Sequence, residues 1–183
     1  MNKIIFIIGA SGAGKTSTLK NLQERYPNDF EYCYFDSVGV PTELERIAKF
    51  GSGGNWQKET TKDWVRKIKE NFLDSKNVIL DGQIRPEYIV EACAENSIEN
   101  YEVILFDCSD EKRKERLIER EQPELETENM ANWAKFLRNE SIARGYRILD
   151  NSNFNREQTI QELLKVVKPV INGFTKELGT IAK

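Results

Sequence analysis

Gly9-Ala10-Ser11-Gly12-Ala13-Gly14-Lys15-Thr16 spells G-x-x-x-x-G-K-[ST] directly after the apolar run Ile4-Ile5-Phe6-Ile7-Ile8. Each part of that pattern has a chemical use. The glycines let the backbone curl until successive N–H groups point at phosphate oxygens. A helix opening inside the motif adds its positive end. Lys15 is a mobile cation for the β- and γ-phosphates, and the Thr16 hydroxyl can join a Mg²⁺ shell. The stretch from Gly9 through Thr16, with Ser17 beside it, is therefore expected to bind ATP together with Mg²⁺.

A second set of chemical groups is the aspartates that follow short apolar or aromatic runs: Asp36, Asp81, Asp107 and Asp150. The chain contains no histidine. That removes Ser-His-Asp and Cys-His nucleophile systems and histidine metal sites together. A general base has to be a carboxylate, a lysine or a water.

The elements that position these groups alternate. Strands are expected at 3–8, 32–35, 78–80, 102–106 and 147–149. Helices are expected at 16–25, 56–74, 86–96, 110–120 and 127–144, with a closing amphipathic helix over 156–170. This alternation predicts an α/β fold of three layers, α/β/α, around a five-stranded parallel sheet. Ligands in such sheets sit outside the carboxyl ends of the strands, where the aspartates emerge. The whole chain, 1–183, is expected to form one domain. Residues 37–56, with Gly39, Pro41 and the Gly51-Ser52-Gly53-Gly54 run, read as a flexible link. It opens a substrate-binding helical insertion at about 37–75. Residues 120–130, rich in acid and carrying Pro123, read as a mobile lid. Such covers keep water from acting as the acceptor. The tail from Asn172 carries no signal.

Composition narrows the partners. A net charge of −3 and a basic cluster at 112–120 interleaved with glutamates give no nucleic-acid footprint. The N-terminal apolar run is too short to span a bilayer and leads into the phosphate loop, so it reads as a strand and no membrane partner is expected. Cys33, Cys93 and Cys108 lack metal-ligand spacing and read as reduced thiols of a cytoplasmic protein. Nothing in the sequence speaks to oligomeric state.

With these residues in place, the sequence resembles the P-loop kinases of the nucleoside-monophosphate-kinase and shikimate-kinase type over about residues 3–168. After the phosphate loop, Val78-Ile79-Leu80-Asp81-Gly82-Gln83-Ile84-Arg85 resembles the strand-D-G-F-P-R signature of adenylate kinases, with Gln83 and Ile84 replacing Phe-Pro. The resemblance implies that Asp81 orders Mg²⁺-bound water and that Arg85 holds phosphates. The helix at 110–120 is similar to the R-x-x-x-R helix entering the lid, implying that Arg116 lies over the adenine and Arg120 clamps the phosphates. Arg138 suits a further lid arginine. Ile148 to Ser152 resembles the last strand and loop that cup the adenine, which implies a role for Asn151.

The resemblance also bears on the acceptor. Kinases of this type that phosphorylate a hydroxyl place an aspartate after the second strand, next to the first, to take the proton. Asp36 matches that position, whereas 36–46 matches the T-G-D-x-x-R pattern of nucleotide acceptors poorly. A small-molecule hydroxyl acceptor with Asp36 as base is expected, with Asp36 as a carboxylate on Mg²⁺-bound water and a nucleoside monophosphate acceptor as the alternatives. Asp36-Ser37-Val38-Gly39 also spells the D-x-x-G of nucleotide switches, but there is no N-K-x-D partner motif. Motor ATPases carry a glutamate after the strand aspartate, where this chain has Gly82.

Overall fold

The computed structural model describes residues 2–168. The part of the closing helix expected beyond Lys168 and the tail from Asn172 lie outside the described residues. Five parallel strands run β1 (Ile4–Ile8), β2 (Phe30–Tyr34), β3 (Asn77–Gly82), β4 (Tyr101–Asp107) and β5 (Arg147–Asp150), in the order β2-β3-β1-β4-β5. Seven helices accompany them among the described residues: α1 (Lys15–Arg25), α2 (Glu43–Phe50), α3 (Gly53–Asn71), α4 (Pro86–Glu95), α5 (Asp110–Glu119), α6 (Glu128–Ala143) and α7 (Arg156–Val167).

β1 is apolar at every position because both of its faces are covered. Ile4, Phe6 and Ile8 face a core completed by α3, α4 and α6, with Val65, Ile68, Ile89 and Leu137. Ile5 and Ile7 face the opposite core, with Leu19 and Leu22 of α1 and Ile160 and Leu163 of α7. Burying each large aliphatic side chain contributes about 1.5–3 kcal/mol, so the central strand is anchored from both sides. All three cysteines are buried free thiols. Among the described residues no helix is long and apolar enough to cross a membrane.

Two expectations need correction. β2 does not lie next to β1; β3 pairs with both and separates them. Strand order depends on pairings between distant segments, which a local pattern does not encode. Residues 37–56 are not a link either. The Thr42 hydroxyl accepts from the Glu45 N–H while the Glu45 carboxylate takes the Thr42 N–H, a capping box that starts α2. Gly51 ends α2 in the left-handed conformation, and Ser52 caps α3, so Gly53 and Gly54 form the first turn of α3.

Candidate active site

The register assembles the site. Ile7 of β1 stands opposite Asp81 of β3, and Tyr34 of β2 stands opposite the same Asp81 on the other side. The loop leaving β1, the end of β3 and the turn leaving β2 therefore meet at one edge of the sheet. Together with α5 and the loop after β5 they line a cleft of about 600 Å³.

Close packing holds the phosphate loop. Gly12 has φ +81°, and a Cβ there would stand 2.6 Å from the Arg113 side chain and 2.9 Å from the Arg113 carbonyl. A Cβ on Gly9 would stand 2.4 Å from the Phe106 carbonyl, so β4 presses on the start of the loop. Unlike α2, α3, α5, α6 and α7, α1 starts without a side-chain cap, and its first turn carries no acid. Its leading N–H groups and positive end therefore face the cleft without a side chain of the protein to answer them.

Lys15 is buried, and its ammonium donates to the carbonyls of Gly9 at 2.9 Å and Ala10 at 3.2 Å. Burial pulls its pKa below the ordinary lysine value, against the opposing pull of Asp81 and Asp36. The Thr16 hydroxyl donates to Oδ2 of Asp81 at 2.5 Å. The other oxygen, Oδ1, is buried and has no hydrogen-bond partner among the described residues. Burial raises the Asp81 pKa, although Lys15 and Thr16 act the other way. A hydroxyl beside a carboxylate with one unanswered oxygen is a hard-oxygen donor pair that suits Mg²⁺. Among the described residues no group of three or more His, Cys, Asp or Glu is arranged to hold a metal.

Asp36 lies one residue beyond the expected end of β2, in a short 3₁₀ turn over Phe35–Val38. Its carboxylate is exposed and, among the described residues, makes no hydrogen bond or ion pair, although it lies close enough to act electrostatically on both Lys15 and Asp81. Arg116 and Arg120 line the cleft together. Arg116 donates to the Asn151 side-chain oxygen at 2.7 Å and to the Ala13 carbonyl at 3.3 Å, while Asn151 donates to the same Ala13 carbonyl at 2.9 Å. Both residues thus brace the loop from outside. Ser17 also faces the cleft, with its hydroxyl turned to the Gly14 carbonyl.

Two expected arginines stand elsewhere. Arg138 forms a two-pronged pair with the Asp107 carboxylate at 2.5 and 3.0 Å and does not line the cleft. Arg85 lies over the rings of Phe136 and Trp133, at 4.8 and 5.3 Å from their centroids, and also stands outside it. The resemblance implies phosphate contacts for both, whereas a carboxylate holds Arg138 and a pair of rings holds Arg85.

Four residues escaped the sequence reading. Gln83 donates to the Ser11 hydroxyl at 3.0 Å, tying the turn after β3 to the phosphate loop. Gln57 of α3 donates to the Gln83 carbonyl at 2.6 Å and accepts from the Arg85 N–H at 3.2 Å. Phe154 brings an aromatic ring to the cleft wall. Arg113 is buried under Gly12 within an otherwise charged helix. Gln83 was visible inside the motif that it alters, and Phe154 follows the last strand closely; Gln57 and Arg113 carry no local signal.

A phosphate-binding loop on the central strand, a buried lysine and a Thr–Asp pair, set in a β2-β3-β1-β4-β5 parallel sheet, define the fold of the P-loop small-molecule kinases. Residues 5–142 match the family model described as an AAA domain, and the chain belongs to that family. No curated protein sequence matches the chain. Among solved structures, a gluconokinase from Sinorhizobium meliloti 1021 superposes with TM-score 0.59 at 16% identity, covering 89% of each chain. A sugar kinase from Janibacter sp. HTCC2649 gives TM-score 0.56 at 17% identity, covering 90% of this chain and 93% of that one. A shikimate kinase from Acinetobacter baumannii in complex with shikimate gives 0.58 at 17% identity, covering 90% and 92%.

Proposed function

We propose that this chain is a phosphotransferase that moves the γ-phosphoryl group of Mg-ATP to a hydroxyl of a small molecule. The observation that carries this reading is the free Asp36 carboxylate in the same cleft as Lys15, Thr16 and Asp81. A nucleotide acceptor already has an anionic nucleophile and needs no base, whereas a hydroxyl needs a group to take its proton. The kinase names of the structural neighbours, including one bound to shikimate, support the same class.

In this reading the loop N–H groups and the start of α1 hold the triphosphate, and Lys15 turns from its two carbonyls to the β- and γ-phosphates. Thr16 and Asp81 would hold Mg²⁺, which when bound neutralises phosphate charge. Arg120 already lines the cleft and offsets charge on the transferred group. Arg138 joins it only if Asp107 releases it, and Arg85 only if it leaves its rings. Arg116, Asn151 and Phe154 form the nucleotide side. Asp36 accepts the hydroxyl proton as the phosphoryl group moves in line. Positioning and charge supply most of the catalysis. The α2–α3 segment serves as the acceptor-side insertion and the 120–130 segment as the lid.

The test is Asp36→Asn, assayed for ADP release against a panel of sugars, polyols, other hydroxylated metabolites and nucleoside monophosphates. Turnover with the hydroxyl acceptor should fall about 10²–10⁴-fold while calorimetric Mg-ATP affinity is kept. Full activity in this variant, or activity confined to nucleoside monophosphates, overturns the assignment of Asp36.

A further inference from the structure

Past the register pair Tyr34–Asp81 the chains leaving β2 and β3 stay side by side: a Cβ on Gly82 would stand 2.7 Å from that of Phe35. Asp36 and Gln83 each come two residues after that pair, and both line the cleft. We infer, on the footing that Asp36 is the base for a hydroxyl acceptor, that Gln83 is a specificity-determining residue beside it. The acceptor it selects is an uncharged polyhydroxyl compound whose reacting hydroxyl has a second hydroxyl next to it.

Gln83 is held so that one end of its amide stays free. Its main-chain carbonyl accepts from the Gln57 side chain at 2.6 Å, and the Arg85 N–H donates to the same side chain at 3.2 Å. Gln57, anchored in α3, thus clamps the turn from both ends. The Gln83 Nε2 donates to the Ser11 hydroxyl at 3.0 Å, which sets the direction of the side chain. Its Oε1 has no hydrogen-bond partner among the described residues, and neither has the Asp36 carboxylate. Two adjoining chains therefore present two hydrogen-bond acceptors, and both call for donors.

Neighbouring hydroxyls meet that demand. One donates to Asp36 and the next to Oε1 of Gln83. The oxygen at Asp36 bonds to the γ-phosphorus as the bond from that phosphorus to the β,γ-bridging oxygen breaks. The bridging electron pair leaves on ADP, and the hydroxyl proton passes to Asp36. A carboxylate or phosphate on the acceptor has no hydrogen to give here and meets Asp36 and Asp81, a like-charge encounter that disfavours binding. The cations of the cleft come from other elements: Lys15 and Lys20 of α1, Lys112 and Arg116 of α5, Arg120 just after it, and Arg156 of α7. Among the described residues the ends of β2 and β3 add none, because Arg85 lies over Phe136 and Trp133.

The test measures ADP release with matched pairs: glucose and gluconate, glycerol and glycerol 3-phosphate, ribose and ribose 5-phosphate, uridine and uridine monophosphate. In every pair that reacts, the uncharged member should have the higher kcat/KM, by about tenfold or more. For the acceptor that reacts best, the analogue lacking the hydroxyl beside the phosphorylated one should be about five- to tenfold poorer. Gln83→Met keeps the length of the side chain and removes the acceptor oxygen. It should cost the parent acceptor about the same factor, leave the deoxy analogue unchanged and keep calorimetric Mg-ATP affinity within about twofold. A merely structural role for Gln83 would slow both acceptors alike, and that result overturns the assignment. Equal or better transfer to the anionic hydroxyl compounds, read on the parent protein without any variant, overturns it too and leaves the hydroxyl-acceptor reading standing. Transfer to no hydroxyl in any pair overturns that reading and the role of Gln83 with it.

Discussion

Truncating Asn151 to alanine is the sharpest test of how the phosphate loop is held. Asn151 is 1% exposed and bonds two loop-side groups through its amide: it donates to Ala13 and accepts from Arg116. Asn151→Ala removes one neutral hydrogen bond and one from a charged donor. At about 0.5–1.5 and 1.5–3 kcal/mol respectively, the loss is about 2–4 kcal/mol. For a chain of this size that lowers Tm by about 5–15 °C. The Ala13 carbonyl keeps only the longer Arg116 contact at 3.3 Å, so the loop loosens and ATP affinity should drop roughly tenfold. Thermal melts by circular dichroism and titration calorimetry read the two effects separately. Asn151→Asp adds a control, because it keeps an acceptor for Arg116 but sets a carboxylate oxygen against the Ala13 carbonyl. It should rescue neither measurement. A melting point within a degree of the parent, with unchanged ATP affinity, would refute the bracing role.

Two further outcomes follow from the geometry. Asp81 has its pKa raised by burial, so its own contribution to stability is fully present below the ordinary carboxyl value of 3.8 and is lost as pH rises towards and through the raised folded value. Asp81→Asn should therefore melt higher than the parent at neutral pH, the gap closing towards pH 3.8, while losing Mg²⁺-dependent nucleotide binding; a lower neutral-pH Tm contradicts this. Gly12→Ala places a Cβ 2.6 Å from the Arg113 side chain and forces a positive φ, the latter alone worth about 1–2 kcal/mol, so both stability and ATP affinity should fall; unchanged calorimetry in this variant would count against the close packing of α5 on the loop.

Much of this site could be read from residue order alone, because its parts are contiguous. The phosphate loop follows its strand, and Asp81 ends an apolar run. The Thr42–Glu45 box is equally local, although it stands among glycines and Pro41. Glycine marks a break only where no cap is present, and here Gly51 and Ser52 are the caps. What stayed hidden is set by contacts between distant segments. The place of β3 between β1 and β2 is one case. Another is the capture of Arg138 by Asp107, across 31 positions. Gln57 is a third, reaching a turn 26 positions away. A local pattern names the side chain, but the pairing decides where it points.

Lys15 resting on the carbonyls of its own loop has a kinetic meaning. On the proposed function, an incoming polyphosphate would meet a pocket already in shape, with the ammonium trading the Gly9 and Ala10 carbonyls for anionic oxygens. Entry is then an exchange of partners rather than a folding event. The gain grows with the charge presented where the lysine lands, which ranks triphosphate above diphosphate and lets bare tripolyphosphate compete for the same seat.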